Sequence, residues 1–262
     1  IRDLELADPD TSVAYSAPFL QLFALSYQPN HLIAVWPPQQ SFAAPDGKAD
    51  VTSELMRASL KFKPSTALEL DNVNFETEGL VVTTAEGTTL VGATQVAVRT
   101  TPAQVNTYDI YAQSQDVTLP DTIRTWLDPA DFLPAKLGDM TIDATAGFDR
   151  AWDKRAIEDQ RPQPTSLDLK LVEAGWGDIT VKITGDLEID AAGIPTGELA
   201  VKAENWQQML GLAETAGILP GRMRPLAESM LGAVAGLSGN PNTIDAALTF
   251  KNGFVSLGPL PL

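Results

Sequence analysis

From Thr184 to Glu204 apolar and polar residues alternate with a period of two. Leu187 and Ile189 stand against Asp186, Glu188 and Asp190, and then Leu199, Val201 and Ala203 against Glu198 and Lys202. Successive side chains of a strand point to opposite faces, so this pattern puts one set on a buried face and the other in water; a helix would scatter both sets around its circumference. Between the two runs, residues 191–197 carry Gly193, Pro195 and Gly197, residue types suited to reversing a chain. The stretch therefore predicts an antiparallel hairpin with a longer loop. Similar signals place a turn at Glu86-Gly87 in LVVTTAEGTTLV and a two-residue hairpin at Asn252-Gly253 in AALTFKNGFVSL. A meander of neighbouring strands follows.

Helical spacing is rarer. After Asn205, which is read as an N-cap, Trp206, Met209, Leu210 and Ala213 recur at helical intervals, and after Pro220-Gly221 so do Leu226, Met230, Leu231 and Val234. Together they predict a C-terminal helical hairpin. Shorter helices are expected at Asp121 to Leu127 and within Asp149 to Gln160. TALEL at 66–70 is similar to TSLDL at 165–169, YDIYAQSQDV at 108–117 to GELAVKAENW at 197–206, and DVTSELMRASL at 50–60 to DMTIDATAGFD at 139–149. These pairs suggest an internal repeat, 50–128 and 139–217. The expected fold is α+β and mostly antiparallel: one elongated β-rich domain over 1–262, built as a twisted sheet of two related halves, with the helical hairpin packed on one face.

The 34 acidic against 18 basic side chains give a formal net charge of −16. That field repels polyphosphates and argues against nucleic-acid binding. With no cysteine, disulfides, thiolate nucleophiles and sulfur-ligated metals are excluded. The single histidine, His31, cannot build a multi-His metal site; it is read as a partly buried, hydrogen-bonded side chain at the start of a strand. No run reaches ~18 apolar residues, the length a membrane-spanning helix needs. The chain opens on Ile1 rather than Met, which leads us to expect a signal or anchor segment upstream.

Asp186, Glu188 and Asp190 resemble the start of a calcium loop but lack its glycine and distal glutamate, and strand alternation already explains them as a wet face. Carboxylate pairs able to serve a hydrolase are unavoidable among so many acids. No G-x-S-x-G, P-loop, G-x-G-x-x-G or H-E-x-x-H is present, and GLSGN at 236–240 lacks the elbow context. A non-enzymatic role without metal or cofactor is expected. Phe19, Phe23, Tyr27 and Trp36 are read as core residues of two adjoining strands. Leaving ~400 Å² of a sheet's apolar face wet forgoes about 10 kcal/mol, so helices must cover it or an apolar guest must complete the cover. The candidate lining residues are Leu187, Ile189, Leu199 and Val201 from the sheet, with Trp206, Met209, Leu210, Met230 and Leu231 from the helices.

SAPFLQLFALSYQPNHLIAVWP at 16–37, the segment ITGDLEIDAAGIPTGELAVKAENW at 183–206 and the ending FKNGFVSLGPLPL resemble the domain-of-unknown-function family 2125 of Gram-negative bacteria. The resemblance covers essentially the whole chain and implies an envelope location, periplasmic or anchored to the inner membrane and facing the periplasm. Membrane association would then run through the missing N-terminal segment alone. More distantly, the turn Asp190 to Leu199 is similar to turns of AsmA-like envelope proteins, whose β-grooves are associated with lipids. The family has no assigned catalytic residues to carry over. The leading expectation is a protein that binds or shields a lipid or other apolar ligand in a groove of the sheet. The alternatives are a structural module binding another envelope protein and, third, a carboxylate-dependent hydrolase.

Overall fold

A computed structural model describes residues 1–8, 11–237, 239–258 and 260–261. Ser238, the serine of the GLSGN string, lies outside them. The strands are β1 (Arg2–Asp8), β2 (Val13–Phe19), β3 (Gln21–Leu25), β4 (Gln28–Val35), β5 (Gln39–Ala44), β6 (Gly47–Thr52), β7 (Leu55–Phe62), β8 (Leu70–Thr84), β9 (Gly87–Thr100) and β10 (Thr107–Gln115). Helix α1 (Asp121–Leu127) follows, then β11 (Met140–Phe148), the short α2 (Arg155–Glu158), β12 (Pro164–Trp176), β13 (Ile179–Ile189) and β14 (Pro195–Glu204). The chain closes with α3 (Trp206–Thr215), a 3-10 turn (Gly221–Met223), α4 (Arg224–Leu237), β15 (Thr243–Lys251), β16 (Phe254–Leu257) and β17 (Leu260–Pro261).

Among the described residues all seventeen strands belong to one sheet, and every pairing is antiparallel. The register makes it a plain meander. β2 pairs β5 while β3 pairs β4, and β5 pairs β6 while β4 pairs β7. Each of β2/β3, β4/β5 and β6/β7 is therefore one long strand with a break. Pro37 and Pro38 cause the middle break, because proline has no N–H for the ladder. The amides of Trp36, Ser53 and Glu54 bridge the gap by donating to Met56, Pro38 and Glu78.

The hairpins form largely where the turn residues stand. Asn252 and Gly253 both take positive φ (54° and 77°), as a two-residue hairpin turn requires. At the other hairpin the turn is Ala85-Glu86, one residue before the expected position, and Gly87 opens β9. The loop between β13 and β14 is also shorter than its composition suggests. It spans 190–194, closed by the Asp190 carboxylate, which accepts the amides of Ala192 and Ile194, and Pro195 and Gly197 belong to the strand.

Gly185 and Gly197 shape this hairpin. Each has a positive φ (134° and 146°) and lies opposite a leucine, Gly185 facing Leu199 and Gly197 facing Leu187. A Cβ on either would sit 2.3 Å from a carbonyl oxygen of the neighbouring strand. Both leucines are buried, at 8% exposure, beside backbone that only glycine permits.

The sheet remains largely one layer deep. The chain exposes 15491 Å², where a compact protein of this mass would expose about 11,000 Å². Among the described residues, α1 touches β9, α3 touches β13 and α4 touches β15, so the helices cover one part of one face. This thinness corrects the reading of the early aromatics. Phe23 is 50% and Tyr27 76% exposed, because among the described residues β3 pairs only β4 and no layer lies over its hairpin turn. Phe19 and Trp36 are half-buried, Trp36 packing edge-on to Phe75 at 6.3 Å. His31 fits its reading: half-buried, it shares a 2.7 Å hydrogen bond with Ser59.

Gly197→Ala is expected to destabilise the fold by roughly 2–3 kcal/mol in urea denaturation, through backbone strain and the carbonyl clash together. Gly193→Ala, at φ 81° with open space around it, should lose only about 1–2 kcal/mol from the left-handed backbone.

Candidate functional site

Residues paired across an antiparallel ladder share a face, so the register lays out the rows of side chains that cross the sheet. One row reads Ala58, Phe75, Val96, Ala112, Ile142, Val172, Ile183, Val201 and Ala246 from β7 to β15. The next reads Leu60, Val73, Val98, Ile110, Ala144, Leu169, Gly185, Leu199 and Leu248. Both continue through β4 into β3, as Ala34 and Leu22 and as Leu32 and Ala24. No polar side chain interrupts either row. Eleven strands at ~4.8 Å spacing make this stripe roughly 50 Å long.

Protein atoms close the stripe near the strand ends. At one end Ala203 and Ile244, with Val181 and Ala246, pack beneath Trp206, Met209, Leu210, Leu231, Val234 and Ala235 of α3 and α4. At the other, the segment carrying α2 folds back so that Trp152 stacks edge-on to Phe148 at 5.6 Å, and Phe148 to Tyr108 at 5.9 Å. Tyr108 is 1% exposed; burial raises its pKa, and its hydroxyl accepts the Trp152 amide at 3.2 Å. Between these ends Phe75, Val98, Ile110, Leu169, Ile183 and Leu248 remain half-buried, and Ile142 is 42% exposed.

The opposite face is polar along the same strands. Lys182 pairs with Glu173 at 2.9 Å and Lys202 with Glu204 at 2.8 Å. Asp109 is the most heavily bonded acid there: Thr145 and Thr101 donate to it at 2.9 and 3.0 Å, Arg99 at 3.2 Å, and Lys170 stands 3.8 Å away. Desolvation alone would raise its pKa, but these donors together hold the carboxyl below its ordinary value. This face holds the charges that keep a one-layer sheet in water.

All four sheet residues expected from the alternation lie on the apolar side. Leu187 and Leu199 are buried beside the paired glycines, while Ile189 and Val201 are half-buried. The helix residues divide. Trp206 is 3% exposed and donates its indole N–H to Pro241 at 2.9 Å, and Met209, Leu210 and Leu231 pack around it, so these four form the seal rather than an open wall. Met230 is half-buried outside that cluster, and Leu226 is 58% exposed, off the sheet-facing stripe expected of it. Asn205 precedes α3 as expected but does not cap it: in the left-handed conformation its side chain donates to Asp178 at 2.6 Å, tying the helix start to the β12–β13 turn. The central residues, Phe75, Val98 and Ile110, were not among the expected lining set. Their signal is the alternation of NVNFETE, TQVAVRT and YDIYAQS; it identifies strands, while their place in two adjacent rows that run on across the sheet requires the register.

Compared with known proteins, the chain matches one family model over residues 1–262, DUF2125, described as an uncharacterized protein conserved in bacteria. The chain belongs to the DUF2125 family. No curated protein and no solved structure matches it.

Trp206→Ala should cost about 3–5 kcal/mol, because it empties the centre of the cluster that α3 and α4 form with the sheet; calorimetry checks this. Asp109 carries a pH signature as well. Its pKa is lowered on folding, so its contribution is present above the unfolded value of about 3.9 and is lost as pH falls through the lower folded value. The wild type's advantage over Asp109→Asn should therefore be full near pH 7 and shrink below about pH 4 in urea titrations.

Proposed function

We propose that this DUF2125 protein is a non-enzymatic component of the bacterial envelope, facing the periplasm, that holds or shields an acyl chain or other apolar ligand against the open stripe of its sheet. The observation carrying this reading is the pair of apolar rows from β3 to β15, sealed near the strand ends and half-exposed between them. A monomeric protein rarely leaves so long an apolar surface in water without a use for it. The stripe is longer than a single fatty acyl chain, which suits either a multi-chain lipid or several positions along one path. The similarity of the Asp190–Leu199 turn to those of AsmA-like envelope proteins belongs to the same proposal.

The halves 50–128 and 139–217 are proposed to be related. Each runs as a strand, a hairpin of two long strands, a further strand and a helix: β6/β7, β8–β9, β10 and α1, then β11, β12–β13, β14 and α3. An experimental structure in which β8 fails to superpose on β12 when β10 is laid on β14 would refute that relation.

Lipid extraction and native mass spectrometry of protein purified from its own envelope should find a bound apolar molecule; a stable, delipidated protein that exchanges no lipid would overturn the reading. Ile110→Asp, at the centre of the stripe, should weaken binding of the fluorescent fatty acid cis-parinaric acid by about tenfold or more, since a carboxylate is poorly accommodated against an acyl chain. Its thermal melt, measured alongside, separates lost binding from lost folding.

A further inference from the structure

The helical hairpin ends in an apolar tip that the sheet does not use. From the end of α3 into the first turn of α4 the chain reads Ala216-Gly-Ile-Leu-Pro-Gly-Arg-Met-Arg-Pro-Leu226. Ile218 is 70%, Leu226 58% and Met223 46% exposed, within nine residues of one another around the 3-10 turn. They take no part in the helix–sheet packing, whose side of this hairpin is Trp206, Met209, Leu210, Leu231, Val234 and Ala235.

Charge decides what this tip can meet. The chain carries −16 overall, yet residues 215–227 hold Arg222 and Arg224 and no acid. Arg224 is held by Glu214 at 2.5 Å, whereas Arg222 is exposed and has no ion pair among the described residues. An anionic surface that the acidic body repels is approachable here. Exposed aliphatic side chains beside an uncommitted arginine suit the boundary between headgroups and acyl chains, where the former lose contact with water and the latter meets phosphate.

We propose that the α3–α4 tip is a bilayer-docking element: Ile218, Met223 and Leu226 enter the interface of a phospholipid membrane and Arg222 engages its phosphates. This contact is additional to any N-terminal anchor and stands whether or not the sheet carries lipid. The same hairpin seals the apolar stripe at its other end, so docking would bring the stripe up to the membrane.

Flotation of the purified chain with phosphatidylethanolamine–phosphatidylglycerol vesicles tests it. The wild type should float with the vesicles, and Ile218→Asp/Leu226→Asp should lower the bound fraction by about tenfold. Arg222→Glu should weaken binding to these vesicles more than to pure phosphatidylcholine. All the altered residues are exposed, so unchanged thermal melts are expected. Cis-parinaric acid binding without vesicles should also be unchanged in the double variant, which separates failure of docking from failure of the ligand-binding reading. A wild type that stays in the vesicle-free fraction, or variants that float equally well, would overturn the proposal. So would a tip that cross-links to a protein partner while ignoring vesicles.

Discussion

An antiparallel meander offers one apolar face and, unless a second layer lies on it, leaves that face to water. Most features of this molecule follow from that constraint. Among the described residues fourteen successive rows of strand, counting each broken pair as one, are held by ladder hydrogen bonds that need no second layer. Backbone pairing is indifferent to what lies above the sheet; the hydrophobic effect is not. The result is a sheet that is locally well bonded yet globally thin, with an exposed area far above that of a compact chain.

The two ends show how much cover the protein supplies itself. Trp206 and the stripe of α3 and α4 bury one corner, and Tyr108, Phe148 and Trp152 knit the opposite strand ends. Neither device reaches the middle. Small residues take some of the strain: Ala58, Ala144 and Gly185 present little area to water, and the paired glycines let Leu187 and Leu199 sink against the backbone. The larger side chains between them, Phe75, Val98, Ile110 and Ile183, are left half-covered.

The acidic balance of the chain has a place in this architecture as well. On the polar face, acids pair with Lys170 and Lys182 across strands and with Lys202 along β14, in contacts that are largely exposed and individually weak. Their main effect is to keep that face wet and the sheet from stacking on its own copies. The exposed tip of the helical hairpin departs from this rule in both charge and polarity, which marks it as a surface with a different neighbour.

The period-two alternation and the turn residues determined the fold class, the meander, the hairpin turn at Asn252-Gly253 and the existence, though not the loop length, of the β13–β14 hairpin, because strand geometry and positive-φ turns are local demands that local residues either meet or do not. They also determined which side of β13 and β14 is apolar. The sequence pointed to Trp206, Met209, Leu210 and Leu231 as groove lining, to Asn205 as a helix cap and to Phe23 and Tyr27 as core, and the structure makes the first four a seal, ties Asn205 to Asp178 and leaves the two aromatics exposed. Those answers depend on what lies across from each residue at long sequence separation. The register alone joins Phe75, Val98, Ile110 and Ile183 into one continuous stripe, and only the docking of the helices over part of one face, rather than along the whole sheet, leaves that stripe open.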